Sequence, residues 1–262
     1  MTATTEEARE HSLTILMRSL KLPTFARYAE EVAQEAEKEG WSFRRYLHHL
    51  AELEIEERRQ RRIERNQKDS ELPGEKTLAM LNRARLPPKV QKTLPTLCEG
   101  DFVQRGENLL VFGLPGRGKT HLACAIGHEL IQRGRRVFFT PTFALVQRLL
   151  VAKRDLVLER ELARLDRFDA VILDDIGYVQ QSREEMEVLF TFLSERYERR
   201  SVIITSNLVF KEWDRIFKDP MTTAAAIDRL IHHAVILEVT GSSYRTEEAK
   251  KRADATTTTQ SE

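Results

Sequence analysis

The sequence predicts an α/β fold, a five-stranded parallel sheet flanked by helices and preceded by a small all-helical domain. Three observations predict it. Apolar residues recur at helical spacing through the first 66 positions, a cluster of helix breakers follows over residues 67–88, and five short apolar runs then alternate with helix-length segments. Strands spaced that widely run parallel, because a hairpin leaves only a few residues between its arms.

In chain order, Leu13, Leu16, Met17 and Leu20 mark a first helix, and Pro23 opens the next. Gly40 and Trp41 end that one, and a third runs from Ser42 to Asn66 through Leu47, Leu50 and Leu53. Its charged stretch, Glu52 to Arg65, leads with acids and finishes with bases. Glu54 with Arg58, and Glu57 with Arg61, therefore stand four apart and complement the helix dipole. That face reads either as a self-paired solvated surface or as a docking surface for a partner or DNA. Trp41 and Phe43 read as core, and His48 and His49 as helix surface. Asp69-Ser70, Pro73-Gly74 and Pro87-Pro88 make residues 67–88 a linker. The expected strands are Asn108 to Gly113, Arg136 to Thr140, Asp169 to Asp175, Ser201 to Ser206 and Ala234 to Val239. The α/β domain then spans 89–246, behind a helical domain at 1–66, and residues 247–262 form a disordered tail.

The chain has 262 residues, enough for one large core and a smaller appendage. Cys98 and Cys124 stand far apart without metal-ligand spacing, which excludes a disulfide framework or zinc site and fits a reducing cytoplasm. No apolar run approaches the ~20 residues of a membrane span, and the first residues lack the apolar core of a secretory signal. A soluble, unexported protein is expected. With 42 Lys and Arg against 41 Asp and Glu, the net charge of +1 gives no general attraction to nucleic acid. Local clusters must supply any such attraction.

The most specific motif is Gly113-Leu-Pro-Gly116-Arg-Gly118-Lys119-Thr120, a P-loop or Walker A sequence. The strand Leu109 to Phe112 precedes it and a helix beginning at His121 follows, the context such a loop requires. Glycines let backbone N–H groups converge on phosphates, and the helix N-terminus adds partial positive charge. Gly113, Leu114, Pro115, Gly116, Arg117, Gly118, Lys119, Thr120 and His121 are thus candidate ATP contacts. Lys119 is expected to reach the β- and γ-phosphates and Thr120 to bind Mg²⁺; His121 reads equally as a helix-packing residue. Ala170 to Asp175 is an apolar strand ending in two carboxylates, a Walker B pattern. There Asp174 would hold Mg²⁺ through water and Asp175 would orient or deprotonate the attacking water. Asn207, after the next strand, can sense the γ-phosphate if its strand lies beside the metal strand.

From Ile15 to Arg245 the chain resembles the IstB-type transposition helper ATPases of bacterial insertion sequences, and more distantly the DnaC-type helicase loaders. Gly118-Lys-Thr-His-Leu-Ala123, Leu173-Asp-Asp-Ile-Gly-Tyr178, Thr205-Ser-Asn-Leu208, Asp228-Arg-Leu-Ile-His-His233 and Ser243-Tyr-Arg245 are among the segments that carry the resemblance. It implies an AAA+ ATPase of the initiator type, with ATP between neighbouring subunits of a helical or ring-like homo-oligomer on DNA. It implies also that Arg229 is an arginine finger for the adjacent subunit and that Arg245 contacts phosphate within its own subunit. Three departures stand out. Asp175 replaces the Glu of many relatives, Arg117 stands where many relatives place a small residue or Thr and adds a charge at the cradle rim, and too few residues follow Val239 for the helical lid domain, which is absent or vestigial.

Between the second and third strands, Thr142 to Arg167 reads as two basic helices, the place where initiator-type relatives carry an insertion facing DNA. Arg148, Lys153 and Arg154 are the candidate contacts to duplex DNA, largely without sequence preference; with Asp155, Glu159, Glu161 and Asp166 interspersed, a solvated amphipathic pair of helices is the other reading. The resemblance makes the N-terminal helices the docking module for a cognate transposase. The expected function is ATP-dependent assembly on duplex DNA to help a transposase select its target. A replicative helicase loader is the alternative, and a nucleotide-gated scaffold with little hydrolysis is a third reading.

Overall fold

The computed structural model describes residues 12–178, 182–208, 212–213, 220–241 and 243. The chain divides into two compact units, Met1–Arg65 and Asn66–Glu262. In the first, a helical stretch over residues 12–19 is followed by α1 (Pro23–Glu39) and α2 (Phe43–Asp69). Pro at the start of α1 lacks only an N–H that the first turn could not use. Tyr46 Oη donates to the Ala29 carbonyl at 2.9 Å, and Val32 and Leu50 are buried. The anticipated pairs form on α2, Arg58 to Glu54 at 2.7 Å and Arg61 to Glu57 at 3.0 Å. Trp41 is half-buried, with Arg45 over its ring at 4.1 Å and His49 edge-on. Phe43 is not core. It is 90% exposed, standing a turn before Tyr46 and Leu50 engage the interior.

The second unit contains α3 (Pro88–Glu99), α4 (Asp101–Gln104), β1 (Asn108–Phe112), α5 (Lys119–Gln132), β2 (Val137–Pro141), α6 (Thr142–Arg154) and α7 (Leu158–Leu165). It continues with β3 (Ala170–Asp174), α8 (Arg183–Arg196), β4 (Ser201–Ser206), α9 (Pro220–Ile231) and β5 (Ala234–Glu238). Every expected strand is present to within a residue at each end. The sheet is wholly parallel in the order β2-β3-β4-β1-β5, with Leu110 beside Ile204 and Ile236, and Val171 beside Val202. β1 and β4 are buried along their whole length, as expected of strands covered by helices on both faces. Leu110, Phe112, Val171, Leu173 and Ile204 share a core with Leu145, Leu149, Leu189, Phe192 and Trp213. α8 starts with a capping box, Ser182 accepting from the Glu185 N–H while the Glu185 carboxylate accepts from the Ser182 N–H.

Residues 67–88, expected as a linker, are held on this unit. The Phe139 N–H on the open edge of β2 donates 2.7 Å to the Ser70 carbonyl. His128 Nε2 lies 3.0 Å from the Pro73 carbonyl and His121 Nε2 lies 2.9 Å from that of Thr77. Each of these nitrogens therefore carries the proton, because a carbonyl can only accept. Leu72 and Leu86 are buried. The prolines that stop a helix here also leave carbonyls for an extended segment to share with its neighbours.

Candidate functional site

Phe112 delivers the chain to the loop between two strands. The Gly113 N–H donates to the Ser206 carbonyl at 3.2 Å, and the Val239 N–H donates to the Phe112 carbonyl at 2.7 Å. A Cβ on Gly113 would overlap the Val239 carbonyl oxygen, and one on Gly116, whose φ is +80°, would overlap the Ser243 hydroxyl. Position 113 requires glycine for space, because backbone lies against it, and position 116 for its left-handed backbone. Lys119 opens α5, only 8% exposed, with its Nζ donating 3.1 Å to the Leu114 carbonyl. The loop is thus curled over its own lysine. Gly118 precedes the helix and supplies no side-chain cap, and the N–H groups at such a helix start favour an anion. Leu114 and Pro115 are exposed at the loop tip, while Arg117 and Thr120 are half-buried.

The acids lie two strands away, at the same end of the sheet. Thr205 organises them. Its Oγ1 donates 2.6 Å to Asp174 Oδ1 and accepts from the Asp175 N–H at 2.8 Å. Thr142 Oγ1 donates to the Asp174 carbonyl at 3.0 Å. Asp175 consequently adopts φ +62°, the left-handed region in which short polar side chains are better tolerated than long ones. That conformation is a local reason for aspartate here rather than glutamate. Asn207, just past β4, is half-buried, and its Oδ1 is buried without a hydrogen-bond partner among the described residues. It packs on Gly177, where a Cβ would strike it.

β3, β4 and β1 are adjacent, so the acid pair, Asn207 and the glycine loop come together at three successive strand ends. Parallel strands are spaced about 4.8 Å apart, which puts the acids roughly 10 Å from β1, a span that a magnesium-bound triphosphate can bridge. The donor set fits such a ligand: uncapped N–H groups, a lysine, hard oxygens from Thr120 and Asp174, and an orphaned amide oxygen.

Arg229 lies elsewhere. The carbonyl of its neighbour Leu230 accepts from Asn108 Nδ2 at 3.2 Å, at the start of β1, some 13 Å before the loop. Its guanidinium donates to Ser194 Oγ at 3.1 Å and sits 4.8 Å over the Phe190 ring. Arg229 is therefore near the N-terminal end of β1, the end of the strand opposite its own chain's cradle. Arg245 and residues 247–262 lie outside the described residues.

The candidate DNA contacts are all in ion pairs. Arg148 pairs with Glu161 and lies over the Phe138 ring, Lys153 pairs with Glu187 at 2.8 Å, and Arg154 with Asp155 at 3.1 Å. Arg196, buried at 2% exposure, is a structural clasp. It donates to the carbonyls of Leu165, Phe168, Asp169 and Ser201 at 2.9–3.4 Å. Burial pulls its pKa down to about 9, which still leaves it charged at neutral pH.

Sequence reasoning assigned no role to Thr205, Thr142 or Asn108. The available signal was a polar residue interrupting an apolar strand, as Thr205 interrupts Val202-Ile-Ile. Asn108 bridges three elements, donating to Leu230 and accepting from the Val202 N–H at 2.9 Å.

Residues 15–253 match the family described as IstB-like ATP binding protein. An insertion sequence ATP-binding protein of Sinorhizobium fredii is 47% identical over 243 residues, covering 92% of this chain and 80% of its own. The insertion sequence IS21 ATP-binding protein of Pseudomonas aeruginosa is 37% identical over 241 residues, covering 92% and 91%. AMPPCP-bound DnaA from Aquifex aeolicus shares the fold at a TM-score of 0.56 and 17% identity, over 71% of this chain and 57% of that one.

Proposed function

The chain belongs to the IstB-like ATP-binding protein family, and from that premise we propose that it is a cytoplasmic ATP hydrolase that assembles on duplex DNA and helps a transposase select its target. The observation that carries the reading is the separation of Arg229 from the cradle of its own chain. A guanidinium at the far end of the strands, held on Ser194 and Phe190, is out of reach of its own nucleotide, so an arginine finger in this position would act on a neighbour. Hydrolysis then depends on assembly.

The chain's own residues divide the work. The uncapped N–H groups at the start of α5 and Lys119 hold the β- and γ-phosphates. Thr120 and Asp174 would hold magnesium, which supplies charge neutralisation of the phosphates. Asp175 orients the attacking water and accepts its proton as the terminal P–O bond breaks, giving ADP and inorganic phosphate. Asn207, one strand over, is placed to fix the water or the γ-phosphate. Arg229 of a neighbouring copy, and Arg245 within the chain, stabilise the charge that builds on the transferred group. The N-terminal helices are the transposase-docking module in this reading.

Electron microscopy of the chain with duplex DNA and a non-hydrolysable ATP analogue tests the proposal. A closed or helical assembly is expected with wild type and none with Lys119→Ala. Unchanged nucleotide-dependent assembly by Lys119→Ala would sink it. Capture of a hexameric helicase without capture of transposase would favour the loader reading.

A further inference from the structure

The cations proposed to face DNA on α6 are each neutralised by an acid of the same unit. The N-terminal unit differs in part: Arg58 and Arg61 are likewise paired, with Glu54 and Glu57, but Arg18 and Lys21 beside them have no acid partner among the described residues. An open cleft of about 420 Å³ is lined by Arg18, Lys21, Pro23, Glu54, Arg58 and Arg61, four cations against a single acid. That acid is already engaged. Glu54 is 3% exposed, and its two oxygens accept from the Thr24 N–H at 2.9 Å and from Arg58 Nε at 2.7 Å.

Two of the guanidiniums are held in place by these bonds. Arg58 reaches past Glu54 to donate to the Lys21 carbonyl, and Arg61 donates to Glu57 at 3.0 Å and to Thr24 Oγ1 at 3.4 Å. Fixing a long side chain beforehand removes part of the entropy that binding would otherwise cost. Among the described residues no acid pairs with Arg18 or Lys21. Lys21 is held by the turn that ends the first helix, at φ +58°, with its N–H donating to the Arg18 carbonyl at 3.0 Å. The charge also continues beyond the cleft. Positions 58, 61, 62 and 65 fall on one helical face, and Arg62 and Arg65 likewise have no acid partner among the described residues.

We propose that this cleft and the arginine face of α2 form a second DNA-binding surface, seating backbone phosphates of the duplex on which the protein assembles. It rests on the DNA-binding reading above and adds to it a contact site outside the ATPase unit. A free anion would need only a point of charge, whereas a band of cations running a turn beyond the cleft matches a row of phosphates. Nothing in the cleft presents the paired donor and acceptor of a base reader, so binding there is indifferent to sequence.

The test is fluorescence anisotropy of the full chain on a random-sequence duplex, with a non-hydrolysable ATP analogue, between 50 and 200 mM salt. The variant is Arg18→Gln with Lys21→Gln, both exposed and without an acid partner among the described residues, with its fold checked by its melting curve. Each phosphate contact contributes about 0.9 to the salt slope, and so roughly fivefold in affinity at 0.15 M. The double variant should lose about 1.8 from the slope and bind roughly 30-fold more weakly. Arg62→Gln with Arg65→Gln should shift in the same direction and serves if the first pair fails to fold. An unchanged slope and affinity would overturn the proposal. So would loss of inorganic phosphate binding, or of transposase capture, with DNA affinity intact; the cleft would then serve a free anion or a protein. Failure of the wild-type chain to bind duplex at all would instead remove the DNA-binding reading itself.

Discussion

Replacing Thr205 by valine removes one buried hydroxyl and, with it, the link between the two acids. Thr205 is 1% exposed, so no solvent replaces its bonds without a rearrangement of β4. The hydrogen bond to Asp174 ends on a carboxylate and is worth about 1.5–3 kcal/mol, and the one from the Asp175 N–H about 1–2 kcal/mol. The added methyl group returns about 0.8 kcal/mol through apolar burial. The net loss is about 2–4 kcal/mol, a fall in melting temperature of roughly 5–15 °C for a unit of this size. The functional effect is distinct. With nothing holding its N–H, Asp175 can leave the left-handed conformation, and a shift of about 1 Å in a catalytic group costs up to about 100-fold in rate. Phosphate release should therefore fall at least tenfold, while a fluorescent ATP analogue binds with a Kd within about threefold of wild type. Calorimetry, steady-state hydrolysis and nucleotide titration together decide the matter. Wild-type melting with wild-type turnover would refute the role given to Thr205.

Three further outcomes follow from the same geometry. Asp175→Asn keeps a side chain suited to the left-handed backbone and should lower turnover by about 100-fold or more without weakening ATP binding, whereas Asp175→Glu should lose roughly 1 kcal/mol of stability in a denaturant titration. Burial, with the Glu129 charge adding to it, pushes the Cys98 thiol up to about 11, and burial pushes Cys124 up to about 12. At pH 8 neither should react with a thiol reagent until guanidinium unfolds the chain, and a fast native reaction would contradict this placement. Burial raises the Glu54 pKa, but hydrogen bonds from Arg58 and the Thr24 N–H outweigh it and leave the carboxyl below its ordinary value of 4.5. A depressed acid stabilises the fold above its unfolded pKa and loses that contribution as pH falls through the folded one. The melting difference between wild type and Glu54→Gln should accordingly be full at pH 7 and shrink below about pH 4.5; a pH-independent difference would rule out this linkage.

The sequence by itself determined the strands, the glycine loop and the acid pair that faces it across the sheet's end. Each of these is written in contiguous residues: an apolar run, a loop with glycines at positions 113, 116 and 118, a pair of acids closing β3. It also indicated the parallel sheet, since the spacing between strands leaves room only for crossover helices. The strand order was a different matter. Only the tertiary structure brings β4 between β1 and β3, and with it Asn207 between loop and acids and Thr205 onto both aspartates. Those contacts join residues some thirty or more positions apart, and nothing local distinguishes a bridging threonine from one that merely favours a strand. Residues 67–88 show the same limit from the other side. Their prolines and glycine announce an interrupted helix, but whether such a segment hangs free or is clasped depends on the carbonyl acceptors it offers to His128, His121 and the edge of β2. Charge was the least legible feature. The cations of α6 and those of the N-terminal cleft look alike in sequence, and only the structure shows that Arg148 and Lys153 meet acids of other helices while Arg18 and Lys21 meet none among the described residues.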